Sequence, residues 1–170
     1  MKIRLSFILI LFLTVGSIQS QEMNKKKIDE RSGREILIGF CNREGLMEGD
    51  FGIHYDLEYN EYTPDKKVVK KISKKAKDVK IVIILGTWCP DSQEQVPRFY
   101  KVLDGAGIGD NALKVICVDG YKQFEDISGK YNVEKVPTFI FFRDEKEIGR
   151  IVETPEKSLE EDFLSLLTKK

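Results

Sequence analysis

The sequence predicts an α/β fold: a mixed sheet flanked by helices, with an N-terminal extension ahead of it. Three observations carry this. Ile81 to Leu85 is an unbroken run of β-branched and apolar residues, as in a strand buried on both faces. Leu113 to Val118 repeats that pattern after a helix-like stretch and a loop. The chain then closes with two short strand-like segments and an amphipathic helix.

In chain order, Lys2 and Arg4 precede an apolar run from Leu5 to Val15, followed by the small residues Gly16, Ser17 and Ser20. This is the layout of a signal peptide over residues 1–20, too short for a comfortable membrane span. Export to a periplasmic or extracellular space is the expectation, with no stable membrane span after cleavage. The alternative is an uncleaved anchor. No cysteine follows closely enough for a lipid anchor. Residues 21–62 form the extension, and 63–170 the main domain.

Within the extension, residues 21–35 are polar and lysine-rich, which predicts a poorly ordered lead-in. Glu35 to Cys41 can begin an element, but glycines interrupt the segment up to Gly52. Tyr55, Tyr59 and Tyr62 recur at helical spacing, predicting a short helix whose aromatic face covers the core edge. Pro64 and Asp65 open a lysine-rich helix with Val68, Ile72 and Ala76 as its apolar stripe and the lysines in solvent.

Beyond the first buried strand, a helix is expected over Ser92 to Leu103 and a glycine-bearing loop from Asp104 to Asn111. Gln123 to Tyr131 reads as a helix. Thr138 to Phe142 and Glu147 to Val152 read as strands joined by a charged turn, and Ser158 to Leu167 as a helix capped by Ser158, with Leu159, Phe163, Leu166 and Leu167 inward. Alternating strands and helices predict a largely parallel sheet with an antiparallel edge.

The 28 basic and 28 acidic side chains balance, so bulk charge gives a nucleic-acid partner no support. Cys41, Cys89 and Cys117 are three, an odd count that leaves at least one thiol free or paired with another molecule. They include no close ligand pair, and His54 is the single histidine; neither a metal site nor a cofactor is expected.

The informative segment is Gly86-Thr87-Trp88-Cys89-Pro90-Asp91-Ser92. A buried strand runs into a turn holding Cys89, and a helix begins at once. That places the sulfur at a helix N-terminus, where unpaired N–H groups and the helix dipole stabilise a thiolate. Trp88 supplies an apolar wall, while the Asp91 carboxylate opposes the thiolate.

Over roughly residues 78–168 the chain resembles the thioredoxin superfamily. The strand followed by Trp88-Cys89 is similar to the family's Trp-Cys-x-x-Cys turn. Pro97 is similar to the proline that kinks the active-site helix. Val136-Pro137-Thr138 resembles the cis-proline segment beside the cysteine, and Ile148-Gly149-Arg150 falls in the last strand. The run from Trp88 to Pro97 looks most like exported bacterial members. The resemblance implies a thioredoxin-like sheet, with Cys89 and Ser92 as catalytic candidates. It also implies that Trp88, Pro90, Val136, Pro137 and Thr138 bind substrate, and that the partners are protein thiols or disulfides.

The departures are as informative. Ser92 replaces the second cysteine, which in the family resolves the mixed disulfide. The buried acid of thioredoxins falls on Ile83 and its lysine partner on Val115. A glycine that helps dock substrate falls near Glu153. The leading expectation is one-thiol disulfide exchange through Cys89, with Ser92 hydrogen-bonding the thiolate and an external thiol reductant releasing the product. The alternative is a non-enzymatic module gripping an extended partner segment. Cys117, or Cys41 from the extension, could stand in for the missing thiol. A peroxide-reducing thiol is disfavoured, because Gly86 occupies the position where such enzymes carry threonine.

Overall fold

A computed structural model describes residues 22–125 and 127–169, so the expected signal peptide lies outside the described residues. Residues expected to form a disordered lead-in are instead folded. Strand β1 (Lys26–Ile28) and strand β2 (Glu35–Leu37) form an antiparallel ribbon. The Asp29 carboxylate holds its turn: buried, it accepts from the Ser32 N–H and, across the fold, from the Gly120 N–H, each at 2.8 Å. Lysine composition argued for disorder, but one long-range carboxylate anchor satisfies the turn's backbone donors.

Strand β3 (Gly39–Cys41) then joins the main sheet. Gly39 has φ +84°, and a Cβ there would lie 2.9 Å from the Phe124 ring, so the close approach requires glycine. A single-turn helix, α1 (Arg43–Leu46), follows, capped by Asn42. Arg43 forks onto Asp104 with two 2.8 Å bonds, tying the extension to the helix that follows the site.

Helix α2 (Gly49–Glu61) is longer than the tyrosine spacing implied. Tyr55 is buried, stacks on Tyr59 and lies against Tyr100, so these rings cover the core. Tyr62 lies just past the helix and donates to Glu160. Helix α3 (Lys66–Lys75) is capped by Asp65. Its buried stripe is Val69, Ile72 and Ala76, not Val68, which is only half-buried; the lysines face outward. Valines stand at both 68 and 69, so spacing by fours and by threes both gave an apolar stripe.

The five-stranded sheet has the order β3-β5-β4-β6-β7. Strand β4 (Val79–Leu85) is central, parallel to β5 (Leu113–Cys117) and antiparallel to β6 (Thr138–Arg143); β7 (Lys146–Val152) closes the far edge. Only β4 and β5 are parallel, so the sheet is mixed rather than largely parallel. The connection from β5 to β6 delivers β6 to the other side of β4 and reverses its direction. The helix expected over 123–131 shrinks to α5 (Ile127–Tyr131). Asp119 Oδ1 accepts from the N–H groups of Tyr121 and Gln123, and Lys122 and Glu125 have positive φ, a turn that competes with helix.

Helix α4 (Pro90–Ala106) begins at Pro90, two residues before Ser92, and ends at Gly107 with φ +70°. Helix α6 (Leu159–Thr168) is capped by Ser158 and buries Leu159, Phe163, Leu166 and Leu167. One sheet face carries Ile81, Ile83, Leu85, Val115, Cys117, Phe139 and Phe141 against α2, α3, α4 and α6. The opposite face carries Val82, Ile84, Ile116 and Ile140, together with Val136 and Cys89. The split follows from the period-two alternation of strand side chains.

Candidate active site around Cys89

The site is assembled where β4 ends. Gly86 must be glycine, because a Cβ would lie 2.6 Å from the Trp88 indole. The turn closes through the Cys89 N–H to the Gly86 carbonyl at 2.9 Å, and Cys89 becomes the N-cap residue of α4. Pro90 occupies the first helical position, where its missing N–H costs nothing. Pro97 lies within α4 and cannot donate to the preceding turn.

The Trp88 indole N–H donates to the Val118 carbonyl at 3.1 Å, fixing the ring against the end of β5. Cys89 is 8% exposed, and its thiol donates to the Val136 carbonyl at 3.2 Å. The Val136–Pro137 peptide is cis. Thr138, buried, donates to the Lys135 carbonyl at 2.6 Å, and the Pro137 carbonyl accepts from the Glu153 N–H at 2.7 Å. The fold therefore gathers Trp88, Cys89, Pro90, Val136, Pro137 and Thr138 at one end of the sheet. Of these, Pro90 is exposed, Trp88 half-buried and the rest buried.

Ser92 sits one turn into α4, fully buried, and its hydroxyl oxygen accepts from the Gly86 N–H at 3.3 Å. The hydrogen bond from the Cys89 sulfur goes to Val136. Ile83 and Val115 face one another in register across β4 and β5, both in the apolar core. Cys117 belongs to that same face, whereas Cys89 packs with the opposite one. The sheet thus separates Cys117 from Cys89. Cys41, on the strand beside β5, packs on the Cys117 face as well.

Sequence reasoning missed the extension's part in the site. The Thr87 hydroxyl accepts from the Leu37 N–H at 3.2 Å, and Arg34 donates to the Trp88 carbonyl at 3.2 Å. Gln93 donates to the Thr87 carbonyl at 3.0 Å. With Phe51, these residues line a groove of about 180 Å³ beside Trp88. Arg34 stands in a stretch with no local pattern, so nothing in the sequence marked it. On the other side of Cys89, Lys135 and Glu153 form an ion pair at 2.6 Å. Its bond to Glu153, helped by the nearby Asp91, raises the Lys135 pKa. Glu153 has φ +58°, a conformation favouring glycine.

Among the described residues no group of His, Cys, Asp and Glu could hold a metal ion, and no helix is long and apolar enough to cross a membrane.

Comparison with known proteins finds thioredoxins. The family model described as Thioredoxin matches residues 54–163. Thioredoxin H-type 1 of Nicotiana tabacum is 29% identical over 115 residues, covering 67% of this chain and 81% of the relative. The TPR repeat-containing thioredoxin TDX of Arabidopsis thaliana is 26% identical over 99 residues, which cover 58% of this chain but 25% of the relative. The chain thus corresponds to about a quarter of that relative's length. Among solved structures, Fasciola hepatica thioredoxin matches at 25% identity and a TM-score of 0.35, covering 49% of this chain and 75% of the other. The thioredoxin match takes in the Cys89 turn, the Val136–Pro137 segment and the strands between them, and on that span this chain belongs to the thioredoxin family.

Proposed function

We propose that the protein is an exported one-thiol disulfide-exchange protein acting through Cys89 on protein thiols and disulfides. The observation that carries this is the Cys89 sulfur at the start of α4, 3.2 Å from the carbonyl that precedes cis Pro137, with Ser92 one turn on. The family supports thiol–disulfide chemistry in general. The charged start and apolar run over residues 2–15 support export.

In the first step the Cys89 thiolate attacks one sulfur of a partner disulfide. A bond forms between Cys89 and that sulfur, the partner's disulfide breaks, and its other sulfur leaves as a thiolate. Cys89, as the N-cap residue of α4, presents its sulfur at the helix start. Trp88, Pro90 and the segment Val136-Pro137-Thr138 hold the partner strand, and the Ser92 hydroxyl hydrogen can turn toward the thiolate. Ser92 has no thiol with which to resolve the mixed disulfide. An external thiolate attacks the partner's sulfur, returning Cys89 as thiolate and leaving the partner joined to the external thiol. No cofactor enters either step.

The test is reduction of insulin, or rearrangement of a scrambled-disulfide substrate, with an external thiol present. The native protein accelerates it and Cys89→Ala does not; equal rates overturn the proposal. A second reading, a binding module that grips an extended segment, is favoured by the burial of Cys89 and by the Lys135–Glu153 pair beside the cis-Pro137 segment. It expects partner capture to survive Cys89→Ala.

A further inference from the structure

Cys41 and Cys117 play no part in the site, yet the fold brings them together. Cys41 pairs in register with Val115, and Cys117 with Gly39, so the two cysteines are diagonal neighbours across β3 and β5. Strand alternation puts Cys41, Val115 and Cys117 on the same face, and both cysteines belong to the same buried cluster. The Cys41 thiol donates to the Gly39 carbonyl at 3.4 Å, and Gly39 is the register partner of Cys117. Both are free thiols, Cys41 5% exposed and Cys117 fully buried.

We propose that Cys41 and Cys117 are a disulfide-forming pair that staples the N-terminal extension to the thioredoxin core. Strand β3 is an edge strand of three residues, and its partner β5 is one strand from the centre of the sheet. A bond there would fix the segment that carries Arg34 and Leu37 to the strand that abuts Trp88. It would also leave Cys89 as the one remaining thiol, unable to scramble with its neighbours.

The chemistry requires a disulfide oxidant such as oxidised glutathione. One cysteine thiolate attacks it, forming a mixed disulfide and expelling one glutathione thiolate. The second cysteine then attacks the protein sulfur, closing the bond and expelling the other glutathione. Two thiol protons are lost and one oxidised glutathione becomes two reduced molecules. Burial, and then the neighbouring Cys41, push the Cys117 thiol up, so exchange in the closed fold is slow. The bond therefore forms while β3 docks, before the sulfurs are sealed.

The test is oxidative refolding of the full chain carrying Cys89→Ser, in a glutathione buffer. The product should lack titratable thiols, weigh two hydrogens less than the reduced form and yield a peptide joining 41 to 117. Closing a loop of roughly 75 residues should raise Tm by about 5–15 °C over the reduced protein. Two free thiols in the natively refolded product would overturn the proposal. If Cys89→Ser folds poorly, the native sequence serves as well: a 41–117 link supports the pairing, and links through Cys89, or none, refute it. Because the variant lacks Cys89, its outcome is independent of the exchange activity proposed above.

Discussion

The Cys89 sulfur lies 3.2 Å from the Val136 carbonyl oxygen, and Val136 is joined to Pro137 by a cis bond. This contact unites two segments 47 residues apart in sequence into one site. One turn further along α4, the Ser92 hydroxyl oxygen takes the Gly86 N–H and occupies the resolving position without a thiol. Under the proposed mechanism such a site starts an exchange and leaves its completion to another molecule.

Restoring the second thiol should change what accumulates. Ser92→Cys places a sulfur one turn from Cys89 in the same helix, and mild oxidation should then yield a disulfide between positions 89 and 92. Mixed disulfides with a model peptide should become short-lived, because an internal thiol now releases them. Mass measurement under non-reducing conditions checks both. Mixed disulfides as persistent as those of the native protein would show that position 92 cannot serve the cycle.

Asp29 should make the extension acid-sensitive. Burial pushes its carboxyl up, but the Gly120 N–H and the Ser32 hydroxyl and N–H outweigh this and hold it below the ordinary carboxylate value. A depressed folded pKa contributes stability that is present above the ordinary value of about 3.9 and is lost as pH falls through the lower folded value. Asp29→Asn should cost about 1–3 kcal/mol at neutral pH. The gap between native and variant should narrow from about pH 5 downward. Urea melts at several pH values measure this; a gap that stays constant into acid would remove Asp29 as the cause.

Glu153 should act as a brake at the cis-Pro137 segment, whose Pro137 carbonyl its N–H holds. Its left-handed backbone costs about 1 kcal/mol for a non-glycine residue. The half-exposed pair with Lys135 returns at most about 1 kcal/mol. Glu153→Gly should therefore leave Tm unchanged or slightly raised while speeding exchange with peptide disulfides. A slower exchange at unchanged Tm would mean that the ion pair helps to hold substrate.

Much of this arrangement was legible in the sequence because it is local. The buried strand running into Trp88-Cys89-Pro90 marks the turn, and the apolar Ile83 and Val115 mark the missing acid and lysine. What escaped is long-range. Asp29 anchors its hairpin through Gly120, Arg34 reaches the Trp88 carbonyl, and Cys41 finds Cys117; none of these pairs has a sequence spacing that announces it. The direction of β6 escaped for the same reason, since strand patterning fixes which face is buried but not which neighbour pairs.

The most direct test of the central claim is capture of partners in mixed disulfides. Native protein and Cys89→Ala are each incubated with proteins of an oxidising compartment, quenched with acid and an alkylating reagent, and resolved without reductant. One-thiol exchange predicts covalent adducts with the native protein that vanish on reduction and are absent with Cys89→Ala. The same adducts with both forms, or with neither, would contradict it.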